Sequence, residues 1–168
     1  KGNYPMLAYG GFKVAAGVTA LNCPNAGVKL SSSNVPTLAA IAASQRGEQS
    51  ISAGASTGRL TLKAGVYLIR ASLTIEGEFT SGTSGDAVGV ITGQLYQAGS
   101  AVAGTKGKVH TQTEGQPAVL AFEGILEITA AQVAAGTNYV ETYLFGGDAS
   151  GNDVIVSEGQ IHAIRLDG

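Results

Sequence analysis

The most constraining feature of this chain is a strictly alternating run over residues 65–76. Its odd positions are Tyr67, Ile69, Ala71, Leu73 and Ile75, and its even positions are Arg70, Ser72, Thr74 and Glu76, with Leu68 the one apolar exception. Period two is the signature of a strand that turns one face to a core and the other away from it. Residues 119–129 repeat the pattern. Leu120, Phe122, Gly124, Leu126 and Ile128 share one face, and Ala121, Glu123, Ile125 and Glu127 lie opposite. A third run, residues 88–97, contains Gly89 and Gly93, and glycines inside strands mark bulges or close approaches.

Shorter strands are expected over residues 11–18, 27–30, 59–63, 139–145, 154–157 and 160–166. Turns rich in Gly and Asx separate them, notably residues 81–86 and 146–153. Two stretches carry helical features. Thr129 to Gln132 fits a capping box with Gly136 as the stop, which predicts one or two turns. Residues 36–46 are rich in Ala and score well as helix, but every neighbour is β, so a strand and loop are expected there. Eight to ten short strands without a repeat of fixed period predict an all-β protein, a two-sheet antiparallel jelly-roll sandwich.

Composition narrows the function. The 168 residues suit one domain. Charged residues make up 13% of the chain, about half the usual ~25%, which implies that much of the surface is covered by a partner, first of all by further copies. Net charge is −2 and no basic stripe is present, which argues against nucleic acid. No apolar stretch reaches the ~20 residues that span a bilayer, so no membrane partner is expected. Residues 1–16 do not read as a signal peptide. They form an expected N-terminal arm in which Tyr4, Met6, Leu7, Tyr9 and Phe12 are apolar without a period, a pattern that a partner would satisfy. Residues 17–168 are then the sandwich. Cys23 is the single cysteine and makes no internal disulfide, which fits assembly in a cytoplasm.

No hydrolase, phosphate-loop or metal-ligand motif occurs, so no enzyme activity, cofactor or metal is expected. Asp148, Asn152 and Asp153 are read as a solvated turn rather than a calcium loop. Cys23 is read as a small buried thiol rather than a nucleophile paired with His162.

The strands carry a resemblance. Thr57-Gly58-Arg59-Leu60-Thr61-Leu62 followed by Gly65-Val66-Tyr67-Leu68-Ile69 resembles a strand pair of TNF-like jelly rolls, the superfamily of tumour necrosis factor and the globular heads of complement-type proteins. Glu123 to Ile128 is similar to a later strand of that fold, and Ser157 to Ile164 to its closing strand. Arg165 stands where an apolar residue is usual, which leaves the closing register open. The resemblance spans residues 55–168 and implies a compact trimer with one sheet facing the threefold axis. Carried over by position, the axis-facing residues are Leu68, Arg70, Ser72, Glu123, Ile125, Glu127 and His162. Arg70 would then pair with Glu123 or Glu127, of its own or a neighbouring subunit. Small bacteriophage decoration, cement and head-spike proteins have a similar composition. The expected function is therefore a trimeric virion structural protein, assembled in the host cytoplasm and bound to the major capsid protein. The alternative is a trimeric receptor- or glycan-binding tip of a fibre or adhesin.

Overall fold

The computed structural model describes residues 8–16, 20–44, 50–77, 89–111, 116–147 and 152–167. In chain order its elements are β1 (Tyr9–Val14), β2 (Ala20–Cys23), β3 (Val28–Lys29), β4 (Leu38–Ser44), β5 (Ile51–Gly54), β6 (Arg59–Leu62), β7 (Gly65–Gly77), β8 (Gly89–Gln97), β9 (Ser100–Ala101), β10 (Gly107–Thr111), β11 (Pro117–Ile128), α1 (Ala130–Ala135), β12 (Tyr139–Phe145) and β13 (Asn152–Arg165). The first sheet has the order β11-β7-β13-β1-β4, with β2 paired to β13. The second has the order β10-β8-β12-β6-β5, with β3 on β12 and β9 on β8. Every pairing is antiparallel.

The alternation in β7 decides the layering. Tyr67, Ile69, Ala71, Leu73 and Ile75 are fully buried and face Ile91, Leu95, Leu60, Leu62 and Leu144 of the second sheet. The register of β7 with β11 runs unbroken from Gly65 opposite Ile128 to Glu76 opposite Pro117. It places Leu120, Phe122, Leu126 and Ile128 in the same core. The Tyr67 hydroxyl, buried with its ring, donates toward the carbonyls of Lys63 at 3.1 Å and Ser50 at 3.3 Å, which satisfies a group that would otherwise destabilise the interior.

The cap of α1 forms as the sequence predicts. Thr129 Oγ1 accepts from the Gln132 amide, Gln132 Oε1 accepts from the Thr129 amide, and Gly136 closes the helix in the left-handed region at φ 68°. The Ala-rich segment is the strand β4, because pairing with β1 from Val14 opposite Leu38 onward outweighs its helix propensity. The two expected runs at 154–157 and 160–166 are one strand, β13. A register shift between Val156 and Glu158 lets it bend while staying paired with β7.

The arm expected over residues 1–16 is corrected at its C-terminal part. Tyr9 and Phe12 belong to β1, which is inserted between β13 and β4. Phe12 is core at 2% exposure. Gly10 and Gly11 are consecutive, one on each face of this strand, and so hide its period. Tyr4, Met6 and Leu7 lie outside the described residues, as do the turn at 81–86 and Asp148. Arg165 has a place as well. At the end of the core it sits opposite Tyr67, where Nε donates to Asp167 Oδ1 at 3.0 Å and Nη2 to the Ala64 carbonyl at 3.0 Å. No helix among the described residues is long and apolar enough to cross a membrane.

Candidate subunit interface

The outer face of the first sheet is built by cross-strand register, one row at a time. Ile125 stands opposite Leu68, Leu68 opposite Ile164, and Ile164 opposite Tyr9. This is an apolar row across four strands on the side away from the core. Ile125 is 69% exposed and Tyr9 44%. The next row is polar: Glu123, Arg70, His162, then Gly11 and Ile41. The third runs Ala121, Ser72, Gln160, Lys13 and Ala39, and the fourth Val119, Thr74 and Glu158. Val119 is 64% exposed. A hollow of about 430 Å³ opens between Lys13, Thr74, Val119, Glu158 and His162.

Leu68, Arg70, Ser72, Glu123, Ile125, Glu127 and His162 thus share one face. Val119 joins them by the alternation of β11, and Tyr9 and Ile164 join them through the pairing register, since their own segments lack a clean period. Arg70 Nε lies 2.9 Å from Glu123 Oε2 of the same chain. Glu127 is opposite Val66, away from Arg70. With both partners about half exposed, the Arg70–Glu123 pair contributes roughly 0–1 kcal/mol.

Partial burial holds the His162 imidazole below its ordinary pKa, and the facing Arg70 guanidinium lowers it further. The unfolded chain therefore takes up this proton first, at about pH 6.5. Stability from this group is complete above that pH. It falls as the solution is acidified toward the lower folded value and then levels off. An NMR titration should place His162 below a solvent-exposed histidine, and Arg70→Gln should move it part of the way back. An unshifted His162 would contradict the assigned surroundings.

The outer face of the second sheet differs in kind. Glu141 is 3% exposed, and its Oε1 accepts from Lys29 Nζ at 3.1 Å and from Arg59 Nε at 3.0 Å. Arg59 also lies over the Tyr139 ring, 4.0 Å from its centroid. One carboxylate thereby ties β3, β12 and β6 together. Glu141→Ala is expected to lower stability by about 1–3 kcal/mol in chemical denaturation. This is less than for a fully buried pair, because both cations can rehydrate. Beside this cluster, Tyr96 and Tyr143 have ring centroids 4.4 Å apart, and Phe145 completes an aromatic trio at 6.0 Å from Tyr96. Among the described residues, no group of three or more His, Cys, Asp or Glu side chains is placed to hold a metal ion.

Two antiparallel sheets in this order, with β13 running through the middle of one of them, form a jelly roll of the TNF-like fold. Solved structures of the same fold include murine APRIL, at 7% identity and a TM-score of 0.53, with 94% of this chain and 99% of that chain aligned. They also include the PRD1 vertex protein P5, at 11% identity and a TM-score of 0.56, covering 95% of this chain and 97% of that one. At such identities the likeness is one of fold. No protein-family model matches the sequence, and no curated protein sequence matches it significantly.

Proposed function

We propose that this chain is a virion structural protein, a homotrimeric capsid decoration or head-spike protein of a bacteriophage, whose copies meet through the outer face of β11, β7, β13 and β1. The observation that carries the reading is the row Ile125, Leu68, Ile164 and Tyr9, an apolar stripe on the face that points away from the core. Contiguous apolar surface of this kind marks an interaction site. β11 adds a second reason. It is a long strand at the edge of its sheet and carries exposed Val119 and Ile125. An uncovered edge of that character invites unwanted pairing, and a neighbouring copy would cover it.

The trimer comes from the TNF-like resemblance, and the virion from the composition together with a fold shared with a phage vertex protein. In this reading the protein acts by burying surface between copies and against the shell, without chemistry. Tyr4, Met6 and Leu7, ahead of β1, are the residues assigned to the major capsid protein. Assembly takes place in the host cytoplasm, and the mature location is the virion. Light scattering on the full chain at micromolar concentration is expected to return three times its 16.8 kDa mass. A monomer at that concentration would remove the proposal.

A further inference from the structure

The outer face of the second sheet carries a groove that the self-association reading does not use. Its volume is about 420 Å³, within the range of sites for small ligands. Tyr96 and Phe145 form its aromatic side, and Asn25 and Gln94 supply carboxamides. Lys106 and Lys108 stand at its rim. Lys108 is opposite Thr92, and Thr92 is opposite Phe145, so lysine and aromatic ring share one row of the same face.

The groove is pre-organised. The Phe145 ring rests on Gly27, where a Cβ would overlap it. Gln94 is 5% exposed, and its Nε2 donates to the Val102 carbonyl at 3.1 Å, which fixes the amide. Among the described residues the charge is one-sided: no acidic side chain lines the groove, and the nearby Glu141 carboxylate is already engaged by Lys29 and Arg59. Among the described residues, neither Lys106 nor Lys108 has an ion-pair partner. This local excess of positive charge stands out on a chain of net charge −2.

We infer that this groove binds an acidic saccharide, with a pyranose ring lying on the Tyr96 and Phe145 rings, the carboxamides of Asn25 and Gln94 bonding its hydroxyls, and Lys106 and Lys108 pairing with its carboxylate. Aromatic faces take the C–H face of a sugar ring, while fixed amides read hydroxyl directions. A nucleic acid fits less well. Two lysines fall well short of the roughly 6–10 phosphate contacts of a strong electrostatic binder, and two neighbouring rings, Tyr96 and Phe145 with centroids 6.0 Å apart, are too few to stack the successive bases of a strand. The site lies on the sheet opposite the proposed interface, so it stands or falls independently of the trimer.

Calorimetry on the full chain tests this with two probes, trigalacturonate and sialyllactose, against their neutral counterparts, the trigalacturonate methyl ester and lactose. Binding of at least one acidic probe is expected. Its affinity should drop by about tenfold or more in the neutral counterpart and in the double variant Lys106→Ala/Lys108→Ala. It should also weaken as sodium chloride is raised. Both lysines are exposed, so the double variant keeps the fold, and an unchanged melting temperature verifies that. The inference is overturned if neither acidic probe binds at millimolar concentration, if the double variant binds equally well, or if oligothymidylate binds more tightly than either sugar.

Discussion

Phe122→Ala should lower the unfolding free energy by about 3–5 kcal/mol, the usual cost of emptying a buried aromatic site. Phe122 leaves β11 and crosses the sandwich to Gly93 of β8, where a Cβ built on the glycine would overlap its ring. The two residues act as knob and hole and set the spacing of the sheets at that point. The reverse change is therefore informative. Gly93→Ala adds one methyl group to a filled space and should cost about 1–3 kcal/mol through overpacking. In a Phe122→Leu background, where the ring no longer occupies the space, the same substitution should cost much less. The difference is a favourable coupling energy of the size found for residues in contact. Chemical denaturation at one fixed protein concentration gives all four stabilities, the concentration being held because association would add to each. Additive effects would mean that Phe122 and Gly93 do not touch.

The sheet-forming logic was legible wherever side chains alternate without interruption. β7 and β11 show it, since every residue whose facing was read from period two has that facing, and Gly93 did mark a close approach. Legibility failed where glycine replaces a side chain or a bulge resets the count. In β1, Gly10 and Gly11 leave only Phe12 and Val14 to indicate the core, so a central strand looked like an arm. In β13, the shift after Val156 splits one strand into two apparent ones. The short strands β2, β5, β9 and β10 are held by their partners rather than by their own pattern. The candidate interface was half legible for a related reason. Which residues of β7 and β11 point outward follows from each strand alone. That Tyr9 and Ile164 extend the same row depends on register between segments far apart in sequence, and no local pattern encodes that. The aromatic groove was less visible still. Tyr96 lies in one of the expected strands and Tyr143 and Phe145 in another, and they and Lys106 and Lys108 come together only through the pairing of β8 with both β10 and β12.

Ile125→Asp is expected to convert the proposed trimer to a monomer at micromolar concentration while leaving the fold intact. In a single copy the position is 69% exposed, and a surface substitution of this kind usually changes stability by no more than about 0.5 kcal/mol. In the proposed assembly the same position lies at one end of the apolar row, flanked along β11 by Glu123 and Glu127. The new carboxylate would make three acidic groups in a column on one strand face. Each copy would then have to desolvate a charge with no cation opposite, since Arg70 is already engaged by Glu123. Placing an unpaired charge in an interface costs about 2–5 kcal/mol, and threefold symmetry imposes that cost three times. A typical protein interface buries about 800 Å² per partner and seldom has that much to spare. Scattering mass should fall to one chain, with the circular dichroism spectrum unchanged. Lys108→Ala, on the opposite sheet, should leave the mass at three. If Ile125→Asp also stays at three copies, the subunits associate through some other surface, and the row of Ile125, Leu68, Ile164 and Tyr9 loses its assigned role.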